Sequence, residues 1–296
     1  MIDFRLPGWL KTITNRYSDY SKLTADDIED LRKRLKKFDV SDPLVSIVIP
    51  AWNEEENIAK TIASLAYNEF DFPCELYVIN NNSTDNTQSV LDNIGVRSIL
   101  ETNQGIAPAR RRGLLEARGK FHLCCDSDTA YPPYWIKTMT RALSENEKKG
   151  VACIYGSYSF IPSEGQSRFL MALYETATSL IKSLKSKKTE ARRVMGFSFG
   201  FVKSIGLEAN GFIMEKPRKF RNELGSIDYV TNSEDGMMAS SIKKAGYKLL
   251  YVNNRRSRVW TSDRRIMMDG GLLKGIKIRL IKVFNRKRFD QIVKPQ

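Results

Sequence analysis

Two carboxylates stand at the end of a largely apolar stretch. Residues 121–125 are mostly apolar, and Asp126 and Asp128 follow them one residue apart. Carboxylate oxygens are ligands for hard divalent cations, and such a cation can hold a diphosphate. An Asp-x-Asp pair also occurs by chance and often caps a turn. Its position at a predicted strand end, just before Pro132 and Pro133, favours the metal site.

Two other predicted strand ends carry groups that suit a nucleobase. Trp52 and Glu54 follow the first apolar strand, and residues 80–82 are three asparagines after the second. An aromatic ring can stack on a base, and the amide of Asn81 can hydrogen-bond to it. Trp52 could equally belong to the core, and asparagine runs also form turns. Because neither G-x-G-x-x-G nor the P-loop motif occurs, other groups would have to hold the phosphates.

The elements that must position these residues alternate along the chain. Apolar runs of strand length lie at 44–50, 74–80, 96–100 and 120–126. Helical patterns follow them at 53–67, 83–94, 107–119 and 132–150. This alternation predicts an α/β fold with a mostly parallel central sheet flanked by helices. Ligands of such folds bind beyond the carboxyl ends of the strands, where Trp52, Asn81 and the two aspartates are expected.

The second half of the chain is less regular. We predict a strand at 151–160, a helix at 167–184, a helix at 233–246 and a strand at 247–252. Residues 194–204 are aromatic and glycine-rich, too irregular to assign. The chain is expected to divide into an N-terminal arm with a helix (1–43), a main α/β domain (44–254) and a basic C-terminal tail (255–296).

The composition of the chain limits the kinds of partner that the protein is expected to bind. The chain has 296 residues, 42% of them hydrophobic, which is enough to bury the core of one large domain. Its formal net charge of +14 indicates an anionic partner, such as nucleic acid, a membrane surface or a phosphate-bearing substrate. Because residues 255–296 hold 13 basic and 3 acidic residues, the rest of the chain is only mildly basic.

Neither a zinc site nor a disulfide is expected. The four cysteines show no C-x-x-C spacing, and His122 is the only histidine, so we interpret all of them as packing residues of a reduced protein. The N-terminus lacks the apolar core of a signal peptide, and no segment approaches the roughly 20 apolar residues of a spanning helix. We therefore expect a cytoplasmic protein, either free or peripheral on the cytoplasmic face of a membrane.

Four segments, in order, resemble the motifs of the family 2 glycosyltransferases. They are VSIVIPAWNEEENI, ELYVINNNSTDNT, NQGIAPARRRGLLEARGKFHLCCDSD and SEDGMMASSIKKAGYKLLYV, between residues 44 and 252. The resemblance implies a GT-A fold, with 44–254 as the catalytic domain. It also implies transfer of a sugar from a nucleotide-sugar donor to an acceptor with inversion at the anomeric carbon, usually with Mn²⁺ or Mg²⁺. A UDP-sugar is the favoured donor, and GDP-mannose is the alternative.

The resemblance also implies roles for individual residues. Those that match the family's donor site are Pro50, Trp52, Glu54, Asn81, Arg110, Asp126, Ser127 and Asp128. Trp52 replaces a usual tyrosine and keeps its stacking face. Asn81 replaces an aspartate that contacts the base, although its carbonyl can still accept a hydrogen bond from uracil N3–H. Asp128 is expected to bind the metal directly, and Asp126 to contact the ribose or the metal shell.

Glu234 and Asp235 match the pair on which the family's catalytic base is usually found. An inverting transfer needs a carboxylate that takes the proton of the acceptor hydroxyl, while the metal stabilises the diphosphate leaving group. We expect Asp235 to be this base and Glu234 to hold the acceptor or a loop. Acids also favour a helix N-terminus without any catalytic role. The resemblance further places Gly196 and Phe197 beside the acceptor.

The basic tail offers two further contacts. Arg264 and Arg265 could fold back onto the diphosphate as a clamp. A later stretch mixes aliphatic and basic residues, and its helical face would carry Leu273, Ile276, Leu280 and Phe284. This stretch could lie on anionic lipid or pack on its own domain. Membrane contact would suit a lipid-linked sugar acceptor, as in the synthesis of a cell-surface polysaccharide or glycolipid.

Two other function classes remain open. A nucleotidyltransferase would also use an Asp-x-Asp pair, a nucleotide and a metal, but normally has a basic glycine-rich loop where this chain has the acidic AWNEEEN. A non-enzymatic basic module for nucleic acid or membrane would explain the tail but would leave Asp126, Asp128 and Asp235 without a role. Nucleic acid is the least favoured partner, and the sequence makes no prediction of oligomeric state.

Overall fold

The computed structural model describes residues 3–163, 165–183, 190–191, 193–209, 211–214, 233–268, 271–272 and 274. The helices are α1 (Gly8–Tyr17), α2 (Ala25–Leu35), α3 (Ile58–Ala66), α4 (Thr87–Ile94), α5 (Ile106–Glu116), α6 (Trp135–Ser144), α7 (Arg168–Ser183), α8 (Lys203–Ala209), α9 (Glu234–Lys244) and α10 (Arg264–Met268). The strands are β1 (Val45–Ala51), β2 (Cys74–Asn80), β3 (Ser98–Leu100), β4 (Phe121–Cys124), β5 (Thr129–Ala130), β6 (Val151–Gly156), β7 (Tyr158–Ile161), β8 (Phe199–Val202), β9 (Lys248–Val252) and β10 (Val259–Ser262).

The strands form a large sheet and a small sheet. The large sheet has the order β3-β2-β1-β4-β8-β6-β9, and the small sheet has the order β5-β10-β7. In the large sheet β8 runs antiparallel to β4 and β6, whereas every other neighbouring pair is parallel. The predicted α/β fold with a mostly parallel sheet is therefore confirmed.

Both faces of the large sheet are covered by helices. Ile47 and Ile49 of β1 belong to a large apolar cluster that also contains Ile62 of α3. Val48, between them, belongs to a separate cluster with Ala109 of α5. Because successive strand residues point to opposite faces, this division shows that α3 and α5 pack on different sides. The fully buried strands are mostly apolar for this reason. The exceptions Ser46 and Glu75 satisfy each other, since Ser46 Oγ donates to Glu75 Oε1 at 2.6 Å.

Several elements differ from the sequence-based prediction. The helix after β1 begins at Ile58 and not at residue 53, because Asn53 adopts a left-handed conformation with φ 51°. Residues 151–160, predicted as one strand, contribute to β6 and β7 in different sheets. The unassigned stretch 194–204 supplies β8 in the interior of the large sheet, and residues 259–262 form the central strand of the small sheet.

The N-terminal arm and the expected packing residues behave as the sequence indicates. Thr24 caps α2 in a reciprocal capping box with Asp27, and α1 and α2 pack against α3. All four cysteines are free and buried. His122 stacks on Phe201 at 5.0 Å between ring centroids, and burial, aided by Arg110, lowers its pKa to about 3, so it packs as a neutral ring. Within the described residues, no helix combines the length and apolar character needed to cross a membrane.

Candidate active site

The segments singled out in the sequence follow strands that end at one edge of the large sheet. β1 pairs in parallel with β2, with Ala51 opposite Asn80, and in parallel with β4 on its other side. Parallel neighbours share their direction, so their carboxyl ends lie together. The residues that follow these ends include Trp52, Asn81 and Asp126.

The turn after β1 is tied to the turn after β2. The side chain of Asn53 accepts a hydrogen bond from the N–H of Thr84 at 2.8 Å and donates one to its hydroxyl at 3.2 Å. The N–H of Asn53 donates to Ser83 Oγ at 3.1 Å, and the N–H of Glu54 donates to Thr87 Oγ1 at 2.9 Å. These bonds fix the backbone at Glu54, a residue that is 8% exposed. Its carboxylate accepts a hydrogen bond from Asn57 Nδ2 at 2.9 Å.

A guanidinium joins two carboxylates at this edge. Arg264, the first residue of α10, donates to Glu54 Oε1 at 2.9 Å, and the same nitrogen lies 3.5 Å from Asp128 Oδ2. Burial raises the pKa of Glu54, the charge of Asp128 adds to this effect, and Arg264 opposes it. Arg264 itself is 51% exposed, so it covers the carboxylates from the solvent side. The structure thus brings Arg264 from the tail segment to the Asp-x-Asp motif.

Lys60 is a second cation at this edge that the sequence pattern did not indicate. It lies in the first turn of α3, where its Nζ donates to Asn57 Oδ1 at 3.2 Å. Burial lowers the pKa of Lys60, while the negative charges of Asp128 and Glu54 partly counter that shift. The sequence could have indicated Lys60 only through its position shortly after the acidic residues 54–56. Lysines in such positions are common on exposed helix faces, so this position did not predict a site residue.

Arg110 lies at the centre of a buried network of charges. Its side chain is 3% exposed, its Nη2 donates to Asp126 Oδ1 at 2.6 Å, and its Nε lies 3.6 Å from Glu234 Oε1. Burial opposes the charged guanidinium, but the neighbouring acids, Asp126 above all, outweigh burial and raise the pKa of Arg110. Arg110 therefore connects the Asp-x-Asp motif to the Glu-Asp pair, which lie far apart in sequence.

Gly196 packs directly on this network. A Cβ at position 196 would lie 2.1 Å from Arg110 Nη2 and 3.4 Å from Asp126 Oδ1. Real Cβ atoms essentially never approach another heavy atom within 3.0 Å. Only glycine therefore lets the segment around Gly196 cover the Arg110–Asp126 ion pair without displacing it.

The Glu-Asp pair opens helix α9. Ser233 caps this helix, and its hydroxyl accepts a hydrogen bond from the N–H of Gly236 at 3.3 Å. The same N–H donates to Asp235 Oδ1 at 2.7 Å. Burial raises the pKa of Asp235, and the charge of Glu234 raises it further, although Arg110 partly offsets both. A carboxylate with a raised pKa is a stronger proton acceptor than an ordinary aspartate.

Tyr131 is a positioning residue that sequence reasoning missed. Its hydroxyl accepts a hydrogen bond from the N–H of Asp126 at 2.9 Å and donates one to the carbonyl of Phe197 at 3.1 Å. Tyr131 thereby joins the Asp-x-Asp motif to the segment expected beside the acceptor. The sequence offered little signal for this role, because a buried tyrosine after a strand resembles an ordinary core residue.

Asn81 is fully buried and already engaged in hydrogen bonds. Its Nδ2 donates to the carbonyls of Glu101 and Asn103 at 2.9 and 2.8 Å, and its Oδ1 accepts from the N–H of Gly105 at 2.7 Å. An aspartate could not donate to two carbonyls, which explains why this chain has asparagine at the position. Asn81 holds the 101–105 turn, and its contact with a base stays a prediction.

The remaining predicted residues contribute backbone or packing. Pro50 is buried in β1, and the carbonyl of Ser127 accepts a hydrogen bond from Thr61 Oγ1 at 2.7 Å. Phe197 makes an edge-to-face contact with Tyr158, with ring centroids 4.9 Å apart. The side chain of Arg265 and the aliphatic face proposed for the tail from Leu273 onward lie outside the described residues.

The carboxylates suit a metal that a diphosphate helps to hold. Across the described part of the chain, no group of three or more His, Cys, Asp or Glu side chains is arranged around a common metal position. Mg²⁺ in phosphate-transfer sites typically uses one or two carboxylates and takes its other ligands from phosphates and water. Asp128, which already faces the guanidinium of Arg264, offers such a carboxylate, so the residues present fit the group.

Sequence comparison places the chain in a family. A model described as glycosyl transferase family 2 matches residues 46–204, more than half of the chain. The chain belongs to glycosyl transferase family 2. The resemblance to this family is therefore confirmed. The matched region contains the turn after β1 and the Asp-x-Asp pair, whereas the fourth motif, at 233–252, lies outside it.

Curated relatives of this family 2 chain match over part of their length. An uncharacterized glycosyltransferase, YfnE of Bacillus subtilis, is 28% identical over 188 residues, which are 61% of this chain and 47% of that protein. The UDP-Glc:alpha-D-GlcNAc-diphosphoundecaprenol beta-1,3-glucosyltransferase WfgD of Escherichia coli is 34% identical over 127 residues, 41% of this chain and 48% of that protein. This chain thus spans about half the length of these two relatives.

A solved structure shares the fold. The mannosyltransferase PcManGT from Pyrobaculum calidifontis, determined in complex with GDP-Man and Mn²⁺, aligns with a TM-score of 0.53 at 19% identity. The alignment covers 91% of the family 2 chain and 71% of PcManGT. The expected GT-A fold is confirmed by this similarity together with the mostly parallel sheet.

Proposed function

We propose that this protein is an inverting glycosyltransferase that moves a sugar from a nucleotide-sugar donor to an acceptor hydroxyl. The observation that carries the proposal is the Arg110 network. Arg110 pairs with Asp126 at 2.6 Å and approaches Glu234 at 3.6 Å, next to Asp235. Groups suited to a donor diphosphate and a carboxylate suited to proton removal are therefore adjacent, as a single-displacement transfer requires.

The donor would lie along the edge formed by the strand ends. Trp52 offers a ring for stacking on the base and Glu54 lies at the same edge. Asn81 shapes this edge by holding the 101–105 turn. WfgD is named for UDP-Glc and PcManGT was solved with GDP-Man. We favour a UDP-sugar and keep GDP-mannose as the alternative donor.

A divalent metal, Mn²⁺ or Mg²⁺, would be held by Asp128 and, through its shell, by Asp126. When bound, such an ion stabilises the negative charge of the diphosphate leaving group. Arg264 already contacts Glu54 and faces Asp128, so it must move aside or share these carboxylates when a metal binds. Once released, the Arg264 guanidinium is close enough to this edge to contact the diphosphate. We propose that Lys60 also contacts the diphosphate.

Asp235 would act as the general base. The acceptor hydroxyl gives its proton to the Asp235 carboxylate while its oxygen attacks the anomeric carbon, on the side opposite to the leaving diphosphate. This geometry produces inversion. The raised pKa of Asp235 supports the role, because it increases the driving force for proton transfer. Glu234 positions Arg110, and the segment at Gly196 and Phe197 borders the acceptor.

The acceptor is proposed to be a sugar on a lipid carrier, as in cell-surface polysaccharide or glycolipid synthesis. WfgD is named for a diphosphoundecaprenol-linked acceptor. Helix α7 supports contact with a lipid surface, because it carries an exposed apolar face opposite its buried face. The exposed residues of this face are Phe169, Leu170, Leu173 and Leu180. Four lysines follow within residues 182–188, a composition that favours anionic lipid.

A thermal-shift panel tests the enzymatic proposal. UDP-, GDP- and dTDP-sugars are added with and without Mn²⁺ to the wild type, to Asp128→Ala and to the control Asp42→Ala, which alters an exposed aspartate before β1. We expect one donor to stabilise the wild type and the control when Mn²⁺ is present, and not Asp128→Ala. Equal behaviour of all three proteins with every donor would reject the proposal.

Vesicle sedimentation tests the lipid contact. Vesicles of phosphatidylcholine with phosphatidylglycerol should retain the wild type, and pure phosphatidylcholine vesicles should retain less. The double variant Phe169→Ser, Leu173→Ser should lose binding, whereas Leu115→Ser, which changes an exposed leucine on α5, should not. Unchanged binding of the double variant would exclude α7 as the contact.

A further inference from the structure

A cavity lies on the face of the small sheet that points away from Asp128. In β10 the hydroxyl of Thr261 lies 3.5 Å from Asp128 Oδ1. Trp260, the preceding residue, points to the other face and packs with Leu10 of the N-terminal arm. A cavity of about 370 Å³ opens on that other face. Its lining consists of Asp3, Arg5, Leu6, Pro7, Trp9, Pro132, Arg255, Arg258 and Trp260.

Arg258 is a buried arginine in this lining that has no anionic partner among the residues that the structure describes. It is 9% exposed, its Nε has no hydrogen-bond partner, and it forms no ion pair with any residue that the structure describes. Arg168, whose guanidinium carbon lies 4.8 Å from the ring centroid of Trp260, is a buried arginine that does have partners. Its Nη1 lies 2.7 Å from Glu175, and its Nε donates to the carbonyl of Asp3 at 3.0 Å. A buried charge without such partners is unfavourable, so the Arg258 site is incomplete without an anion.

The charges around Arg258 do not supply this anion. Arg5 and Arg255 line the same cavity, so three guanidinium groups face one carboxylate, that of Asp3. Asp3 is already paired with Arg255 at 2.7 Å. The cavity therefore has an excess of positive charge, which an anionic ligand would neutralise.

The shape and the apolar lining indicate the kind of anion. A cavity of about 370 Å³ is larger than a bare phosphate requires and is within the range of small-molecule sites. Trp9 and Pro7 are partly exposed and offer apolar surface, whereas Trp260, which is 2% exposed, and Pro132 contribute only an edge of the lining. Guanidinium groups bind phosphate and carboxylate alike through paired N–H donors.

We propose that this cavity binds a small organic oxyanion, a phosphate monoester or a carboxylate attached to a flat apolar body. Arg258 anchors the charged group from the floor of the cavity, and Arg255 and Arg5 contact it from the rim. The apolar body lies against Trp9 and Trp260. The site is separate from the donor edge, because β5 and β10 stand between the two, and it does not depend on the proposed transferase activity.

Binding of defined probes to the full chain tests this site. Phenyl phosphate, benzoate, inorganic phosphate and neutral phenol are titrated by calorimetry into the wild type, Arg258→Met, Arg256→Met and Arg264→Met. Arg256 is the matched control, because it belongs to the same turn but is exposed and lies over Tyr134 at 5.0 Å. Arg264→Met controls for binding at the donor edge.

We expect phenyl phosphate or benzoate to bind the wild type more tightly than inorganic phosphate, and phenol not to bind. The tighter of the two aromatic anions identifies the charged group. Arg258→Met should weaken that binding at least tenfold, and both control variants should keep it. Absence of binding to the wild type, equal binding to Arg258→Met, or loss of binding in Arg264→Met alone would each overturn the proposal.

The melting temperature separates binding from a structural role. Without ligand, Arg258→Met should melt at the wild-type temperature or above it, because it removes an unpaired buried charge. A large fall in melting temperature with anion affinity retained would show that Arg258 supports the fold instead. If Arg258→Met does not fold, Arg255→Met carries the test, since it lines the cavity from the exposed side and should lower affinity where Arg256→Met does not.

Discussion

The replacement of Gly196 by alanine should disrupt the network that connects the two acidic motifs. The new Cβ would lie 2.1 Å from Arg110 Nη2. Ordinary van der Waals contact needs a separation greater by about 1 Å or more, so one of the two groups must move. Arg110 is 3% exposed and has little room, and its movement would break the 2.6 Å bond to Asp126.

The size of the effect follows from the bond that is lost. A hydrogen bond to a charged group contributes about 1.5–3 kcal/mol, so Gly196→Ala should lower the free energy of unfolding by about that amount. The Asp126 carboxylate would also lose its orientation. Binding of the nucleotide-sugar should therefore weaken, by about tenfold if restoring the Asp126 orientation costs about 1.4 kcal/mol.

Urea unfolding and calorimetric titration of the donor measure these two quantities. Gly8→Ala is the matched control, because no atom lies within 4 Å of a Cβ built at Gly8 and that variant should behave as the wild type. In the background of Asp126→Asn, which already weakens the ion pair, the added cost of Gly196→Ala should be smaller. Wild-type stability and donor affinity in Gly196→Ala, or full additivity with Asp126→Asn, would refute the reasoning.

Two further variants test the hydrogen bonds and the pKa shift at the site. Asn81→Asp should lower the free energy of unfolding, measured in urea, by about 2–4 kcal/mol. The reason is that its carboxylate would face the carbonyls of Glu101 and Asn103 with no N–H to donate. Unchanged stability would contradict the hydrogen bonds described for Asn81. The pKa of Asp235 is raised above its usual 3.8 by burial and then by Glu234. The turnover rate should therefore rise with pH through that raised pKa as the base ionises. The contribution of Asp235 to the free energy of unfolding changes with pH in the opposite direction. A carboxyl whose pKa is raised in the folded state favours folding while it is protonated, and this contribution is lost as the pH rises through the raised pKa. Asp235→Asn should consequently be more stable than the wild type at neutral pH, and a less stable variant would argue against the shift.

The sequence was informative where local pattern and chemistry coincide. The runs at β1, β2 and β4 are mostly apolar because helices bury both faces, although Ser46, Glu75 and His122 interrupt them. Their lengths identify them as strands. Parallel pairing then places the residues after them at one edge. This reasoning placed Trp52 and the Asp-x-Asp pair at the same edge of the sheet, in agreement with the parallel pairing of β1 and β4.

The parts that escaped prediction depend on tertiary contacts. β8 was not assigned because Gly200 interrupts its aromatic pattern, and the structure shows why: a Cβ there would lie 2.4 Å from a side-chain carbon of Leu123. Lys60 and Tyr131 look like a surface lysine and a core tyrosine in sequence. Their proximity to Asp128 and Asp126 arises only when α3 and β5 pack at the sheet edge.

The central claim is that Asp128 serves the donor and metal while Asp235 removes the proton. Release of the free nucleotide diphosphate from a UDP- or GDP-sugar, with Mn²⁺ and with water as acceptor, tests both roles in one assay. Asp235→Asn should bind the donor as the wild type does and release product at least about 100-fold more slowly, the lower range for loss of a general base. Asp128→Ala should fail to bind the donor with Mn²⁺. Equal rates for the wild type and Asp235→Asn at equal donor binding would contradict the account.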